Sequence, residues 1–212
     1  VSDILKDIIE NHIKYQKRVA LYRTFGYNID LERSFIIEKS LPVAGNILEA
    51  GTGKGYFTLA LAQAGYKFFS LDISVAEQRF ALLNLMYYGF QSQVTFLIAD
   101  VESIPCNDGF FDVIFAVNMI HHLSSIRKVC DEFTRLLSPD GKIVLSDFNE
   151  KGLAILDRIH EREGRYHDVS GGTLAEMKTI LVERGFTVRE HQSDLQDMLV
   201  AGRTNLSPDI EE

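Results

Sequence analysis

Short runs dense in Val, Ile, Leu and Phe alternate five times with stretches whose apolar residues recur at helical spacing. The runs fall at 46–50, 67–71, 94–99, 112–117 and 142–147, and helical patterns occupy 56–64, 75–88, 124–137 and 174–184. Strands this apolar have no wet face, so they belong in a parallel sheet covered by helices on both sides. Two final runs, 186–191 and 198–201, have no helix between them and should pair antiparallel at one edge of the sheet. The expectation is an α/β fold: a doubly wound, mostly parallel seven-stranded sheet with helices on both faces and an antiparallel C-terminal strand pair. Helical spacing also covers 2–21 and 31–41, the second stretch ending before Pro42. Ser138-Pro139-Asp140-Gly141 reads as the turn between the helix at 124–137 and the strand at 142–147.

The length of 212 residues suits a single domain over 1–212. Within it, 1–41 is expected to form an N-terminal helical lid. Residues 149–172, the least regular stretch, are expected to form an irregular substrate-side insertion carrying His160, Arg165, Tyr166 and His167. The net charge of −8 makes a nucleic-acid partner a poor fit, because an acidic surface repels phosphate backbones. The best basic cluster, Lys14, Lys17, Arg18 and Arg23, reads as a solvated helix face. Cys106 and Cys130 have no CxxC spacing, so neither structural zinc nor a disulfide framework is expected. No apolar run approaches the roughly 20 residues of a membrane helix, and VSDILKDIIE lacks a signal-peptide core. A cytoplasmic location without membrane contact is the expectation.

The strongest chemical signal is Glu49-Ala50-Gly51-Thr52-Gly53-Lys54-Gly55, after the first strand and before a helix. In an open α/β sheet, ligands bind at the carboxyl ends of strands where strand order reverses. Glycines there let the backbone turn and approach a ligand with no side chain intervening. A tight ligand-free turn would need one glycine; three at alternate positions with an acid two residues ahead exceed that need. A dinucleotide fingerprint would place its third glycine at Tyr56, and a phosphate-binding loop would need a hydroxyl after Lys54, where Gly55 stands. Glu49 is also badly placed beside a diphosphate and well placed beside a cation. The second strand leads into Asp72, about 20 residues after the loop, where an acid accepts bonds from ribose hydroxyls; capping the helix after Ser74 is its bland alternative. The third ends in Asp100, within reach of an adenine amine beside the Val101 backbone.

These residues resemble the class I S-adenosylmethionine-dependent methyltransferases, particularly the small-molecule branch related to ubiquinone and menaquinone methyltransferases. ILEAGTGKGYFTLALA is similar to that family's first motif and LDIS to its second; IADVESIPCNDGFFDVIFAVNMIHHL and RLLSPDGKIVLSDF resemble its later motifs. The resemblance covers roughly 45–148. It implies S-adenosyl-L-methionine as cofactor, with Glu49, Gly51, Gly53 and Gly55 at the methionine part. It further implies Asp72 at the ribose, Asp100 and Val101 at the adenine, Asn118 beside the sulfonium and acceptor, and Ile73 among the cofactor-binding residues. Ser70 stands where the family often has glycine, and Cys106 where the branch often has an aromatic residue.

Methyl transfer from a sulfonium needs chiefly alignment, which supplies roughly 7–11 kcal/mol of the barrier in well-oriented systems. A hydroxyl or amine acceptor also benefits from a general base. Asp147 at the end of the fifth strand is the best-placed candidate, followed by His121 and His122, read at the start of a helix. His160 and His167 read as a solvated helix face. Tyr22 and Arg23 are candidate contacts to the cofactor's carboxylate. The expected activity is methyl transfer to a small-molecule acceptor. Methylation of a protein or nucleic acid, a non-catalytic regulatory protein that keeps the pocket, and a nicotinamide-dependent oxidoreductase stand as alternatives.

Overall fold

Strand β1 (Ile47–Ala50) is buried at all of its positions, which a strand achieves only in the middle of a sheet covered on both faces. The computed structural model describes residues 2–164 and 171–203 and places β1 third in a sheet of seven strands. On one side lie β2 (Phe68–Asp72) and β3 (Val94–Ile98), both parallel to it. On the other lie β4 (Phe111–Val117) and β5 (Leu137–Phe148), also parallel. The sheet closes with β7 (Gln196–Gly202), antiparallel to both β5 and the edge strand β6 (Thr187–Gln192). The order β3-β2-β1-β4-β5-β7-β6 reverses direction between β1 and β4, the place where a doubly wound sheet opens a crevice.

Alternate residues of the strands feed two cores. Ile114 and Ala116 point, with Leu48 and Leu145, toward α5 (Ile126–Leu136) and α7 (Leu174–Glu183). Val113, Phe115 and Val117 point the other way, toward α3 (Tyr56–Gln63) and α4 (Val75–Tyr88), joined there by α1 (Ser2–Thr24) and α2 (Ile29–Lys39). The period of two in side-chain direction makes both faces apolar, as the sequence pattern requires. A third, smaller cluster joins Tyr22, Tyr27 and Ile29 to Leu156 and Ile159 of α6 (Glu150–Arg162), over the carboxyl end of the sheet.

Three local readings change. Helix α2 begins at Ile29, not 31, because Asn28 caps it by accepting from the Leu31 amide. Residues 150–162, expected to be irregular, form α6, and Asn149 caps it through the Gly152 amide. Gly152, Leu156 and Ile159 make the buried face of α6. Glycine hides that period in the sequence, yet no other residue fits: a Cβ on Gly152 would lie 2.3 Å from the Leu195 carbonyl. Arg165, Tyr166 and His167 lie outside the described residues. Ser138–Gly141 lies inside the span of β5, between the pairs Phe111↔Leu137 and Val113↔Lys142, as a bulge in the ladder.

Phe115 is fully buried and its ring centre lies 5.1 Å from that of Phe57 across the sheet–α3 interface. Replacing it with Ala should cost about 3–5 kcal/mol. Urea unfolding followed by circular dichroism should show this as a lowered midpoint with an unchanged slope.

Candidate functional site

The reversal point opens into a cavity of about 540 Å³, within the range typical of small-molecule sites. Its floor is the loop after β1. The Gly51 and Thr52 amides both donate to the Leu71 carbonyl, at 2.8 and 2.9 Å, and tie the loop to the end of β2. The Gly53 amide donates to Asp72 Oδ2 at 2.8 Å, while Oδ1 of the same carboxylate accepts from the Ser74 amide at 2.8 Å. Asp72 therefore fixes the loop and the start of α4 together; the helix cap itself is Ser74.

The three glycines answer to three different constraints. All have positive φ, a region that side chains other than glycine seldom adopt. A Cβ on Gly51 would press on Met119 Sδ at 2.9 Å, and one on Gly55 would meet Ala81 Cβ at 2.5 Å. Gly55 thus serves the packing of α3 on α4. Gly53 alone faces open space.

The β4 side supplies the opposite wall. Asn118 has φ 53°, a strained backbone for any residue with a side chain and one often found at functional sites. Its amide N–H donates to the Ser146 carbonyl at 2.8 Å. Its side chain fits a buried network with the oxygen 2.8 Å from Arg33 Nη2 and the nitrogen 2.7 Å from Gln196 Oε1. Tyr27 joins the same network, its hydroxyl accepting from Arg33 Nη1 at 3.3 Å and Gln196 Nε2 at 2.9 Å.

Beyond Asn118 the chain makes a 3₁₀ turn at Ile120–His122 rather than the start of a helix. The turn directs both His121 and His122 into the cavity lining. His121 is held by Asp147: its backbone N–H donates to Oδ2 at 3.1 Å, and its ring Nδ1 lies 2.8 and 2.9 Å from the two carboxylate oxygens. Both residues are more than nine-tenths buried. The carboxylate thereby fixes the orientation of the His121 ring through its Nδ1 edge. Asp147 itself lies behind His121, outside the cavity lining.

The structure brings Glu49, Gly51, Gly53, Asp72, Asn118, His121 and His122 to one cavity. Gly55, Ile73, Asp100 and Val101 lie outside its lining. Asp100 is exposed, two residues beyond the partner of Asp72 on the neighbouring strand, and accepts from the Glu102 amide at 2.9 Å. Ile73 stands 71% exposed beside Asp72. Arg23 is exposed and pairs with Asp30, whereas Arg33 is buried in the cavity wall. The signal for Arg33 was its spacing, on the same face of α2 as the buried Ile29 and Ile36. His160, read as solvated, lines the cavity because α6 turns it inward.

Residues 48–145 match a family described as a methyltransferase domain. A dimethylglycine N-methyltransferase of Parasynechococcus marenigrum is 33% identical over 129 residues, 57% of this chain and 46% of that protein. A ubiquinone biosynthesis O-methyltransferase of Psychrobacter arcticus is 26% identical over 155 residues, 66% of this chain and 58% of that protein. A methyltransferase structure from Aquifex aeolicus shares the fold, with a TM-score of 0.63 at 20% identity over 80% of this chain and 88% of that one. Residues 48–145 thus carry the sequence pattern of a methyltransferase domain, and the chain shares its fold with solved methyltransferases. The chain spans between 34% and 46% of the length of the first curated relatives it matches.

Within residues 48–145 the most perturbed acid is Glu49. It is 1% exposed, and its carboxylate accepts from Thr58 Oγ1 and from Ser70 Oγ, the latter at 2.6 Å. Ser70, where the family often has glycine, is thus a direct partner of the motif's acid. Burial pushes Glu49 up to about 8, outweighing the downward pull of the two hydroxyls and Arg33. The folded chain therefore keeps a proton that the unfolded chain has lost above about pH 4.5. This contribution to stability is complete below that pH and disappears as pH rises through about 8. Thermal unfolding of the ligand-free protein should show a fall in midpoint between these values that Glu49→Gln flattens. An unchanged slope in the variant would contradict the assignment.

Proposed function

We propose that this chain is an S-adenosylmethionine-dependent O-methyltransferase acting on a small molecule, with His121 as general base and Asp147 as the residue that orients it. The observation that carries this reading is the His121–Asp147 pair, which holds the imidazole in the lining of a cavity whose floor is the glycine loop. A sulfonium methyl donor needs no acid or metal to activate it, so the base is the group a hydroxyl acceptor still requires.

The residues present suit the cofactor. When bound, it supplies an electrophilic methyl group on a positively charged sulfur that departs as a neutral thioether. Glu49 would meet the ammonium of the methionine part, and Arg33, in place of Arg23, its carboxylate. The open face of Gly53 and the Asp72 carboxylate would hold the ribose. The exposed Ile73 offers an apolar surface for the adenine edge, with Asp100 and Val101 at the neighbouring strand tip. Asn118, fixed by Ser146, Gln196 and Arg33, would border the reacting centre. The helices α1 and α2 would act as the lid over this site, since Tyr22, Tyr27 and Arg33 line its outer wall. The net charge of −8 supports a small molecule over a nucleic acid as acceptor.

Calorimetric titration should show binding of S-adenosylmethionine and S-adenosylhomocysteine, and none of NAD. Asp72→Ala should weaken S-adenosylhomocysteine by about 1–3 kcal/mol, the usual effect of losing hydrogen bonds to a charged group. Unchanged affinity would contradict the ribose assignment. His121→Ala should leave that affinity within about two-fold while lowering the transfer rate by about 10²–10⁴. Asp147→Asn, which keeps the shape but loses the anion that orients the ring, should lower the rate less and shift the pH profile. Tight cofactor binding without transfer to any hydroxyl compound would favour the regulatory reading instead.

A further inference from the structure

Beside Arg33 the cavity lining holds two further cations that the cofactor assignment leaves unused, Lys54 on the glycine loop and Arg18. Arg18 of α1 reaches its lining between α1 and α6. Its guanidinium lies 5.8 Å from the centre of the Tyr22 ring, and Nη2 pairs with Glu163 at 3.3 Å. Nε is buried with no hydrogen-bond partner among the described residues. The side chain as a whole is four-fifths buried. A guanidinium carries five N–H donors in a fixed fork; Glu163 and the Tyr22 side chain engage part of it, and a planar acceptor in the cavity would engage a remaining terminal N–H. Because the side chain is only one-fifth exposed, a bond to that N–H is little screened by water.

The surroundings of Arg18 favour an aromatic body behind that acceptor. Tyr22 and Tyr56 line the same cavity with ring centres 6.3 Å apart, and Phe148 lines it near His121, 6.1 Å between ring centres. Rings bounded in this way pack well against another flat ring. Glu163 already shares the guanidinium, so a monoanion fits beside it better than a dianion, and the fork geometry matches a carboxylate.

Resting on the methyltransferase reading above, we infer that the acceptor is a hydroxylated aromatic acid. Its carboxylate is read by Arg18, its ring lies among Tyr22, Tyr56 and Phe148, and its hydroxyl reaches His121. The acceptor oxygen bonds to the methyl carbon as the carbon–sulfur bond breaks. Sulfur keeps that electron pair, and the hydroxyl proton passes to His121 Nε2. Arg18 touches the acceptor's anion and takes no part in the proton transfer.

The test is titration of the S-adenosylhomocysteine-saturated protein with dihydroxybenzoate and hydroxycinnamate, each beside its neutral carboxamide. The expected result is that at least one acid binds about ten-fold or more tighter than its amide, a ratio well within reach of one charged contact. Arg18→Gln should reduce the preference to within about three-fold, and Arg18→Lys should retain part of it. Neither variant should move S-adenosylhomocysteine affinity by more than about two-fold. Equal binding of acid and amide, binding of neither acid, or a preference that survives Arg18→Gln would overturn the inference. Failure of S-adenosylhomocysteine itself to bind would instead overturn the methyltransferase reading, so the two failures are distinct.

Discussion

At the carboxyl end of β1 the neighbouring connections part. The loop from β1 turns into α3 and is tied to the β2 side by the Leu71 carbonyl, while the β4 loop at Asn118 is tied to β5 by the Ser146 carbonyl. The gap left between two loops pulled to opposite sides is the cavity. Both anchors are backbone hydrogen bonds to adjacent strands, so the cavity's shape follows from sheet order and is fixed before any ligand arrives. Asp72 reinforces the first anchor and the Asn118 side-chain network the second. The loops approach closely at Gly51, where Met119 leaves no space for a side chain.

Three buried ionisable groups are placed around this gap, and each meets the cost of burial in its own way. Glu49 accepts two hydroxyl bonds and still lies well above the ordinary carboxylate range. A cation entering the site would stabilise its charged form. Arg33 lies against neutral oxygens of Tyr27 and Asn118 and leaves Nε without a partner among the described residues. Asp147 is satisfied by His121 and by the Phe148 amide. The acid and the arginine that would face a zwitterionic ligand are the incompletely compensated pair. The carboxylate that would orient the base is fully engaged. The first arrangement would leave binding energy available for a ligand; the second holds the His121 ring in place.

The central strands and the glycine loop were legible because they rest on local signals: apolar density, turn residues and acids at strand ends. Asp72 and Glu49 share the cavity as their positions implied, and Asp147 stands beside His121. What escaped were residues whose role depends on contacts distant in sequence. Arg33 looks like any helix arginine until α2 is packed across the sheet end. His160 looks solvated until α6 is recognised, and the apolar face of α6 includes a glycine that no hydropathy pattern registers. Arg18 was read as part of a solvated basic face, although Tyr22 and Glu163 enclose it.

The amino-acid order alone determined the alternation of strands and helices, the antiparallel final pair and the ligand-approaching loop. Each of these is decided by neighbours within a few residues. Tertiary structure alone decided which acids share a cavity, which arginine enters it and which histidine acquires a carboxylate partner. Those outcomes depend on β1 and β4 lying side by side although more than 60 residues separate them in the chain. They depend equally on α1 and α2 meeting α6 over the carboxyl end of the sheet, although more than 100 residues separate them in the chain. Spacing along a chain reports which face a side chain takes; only packing reports what lies opposite that face.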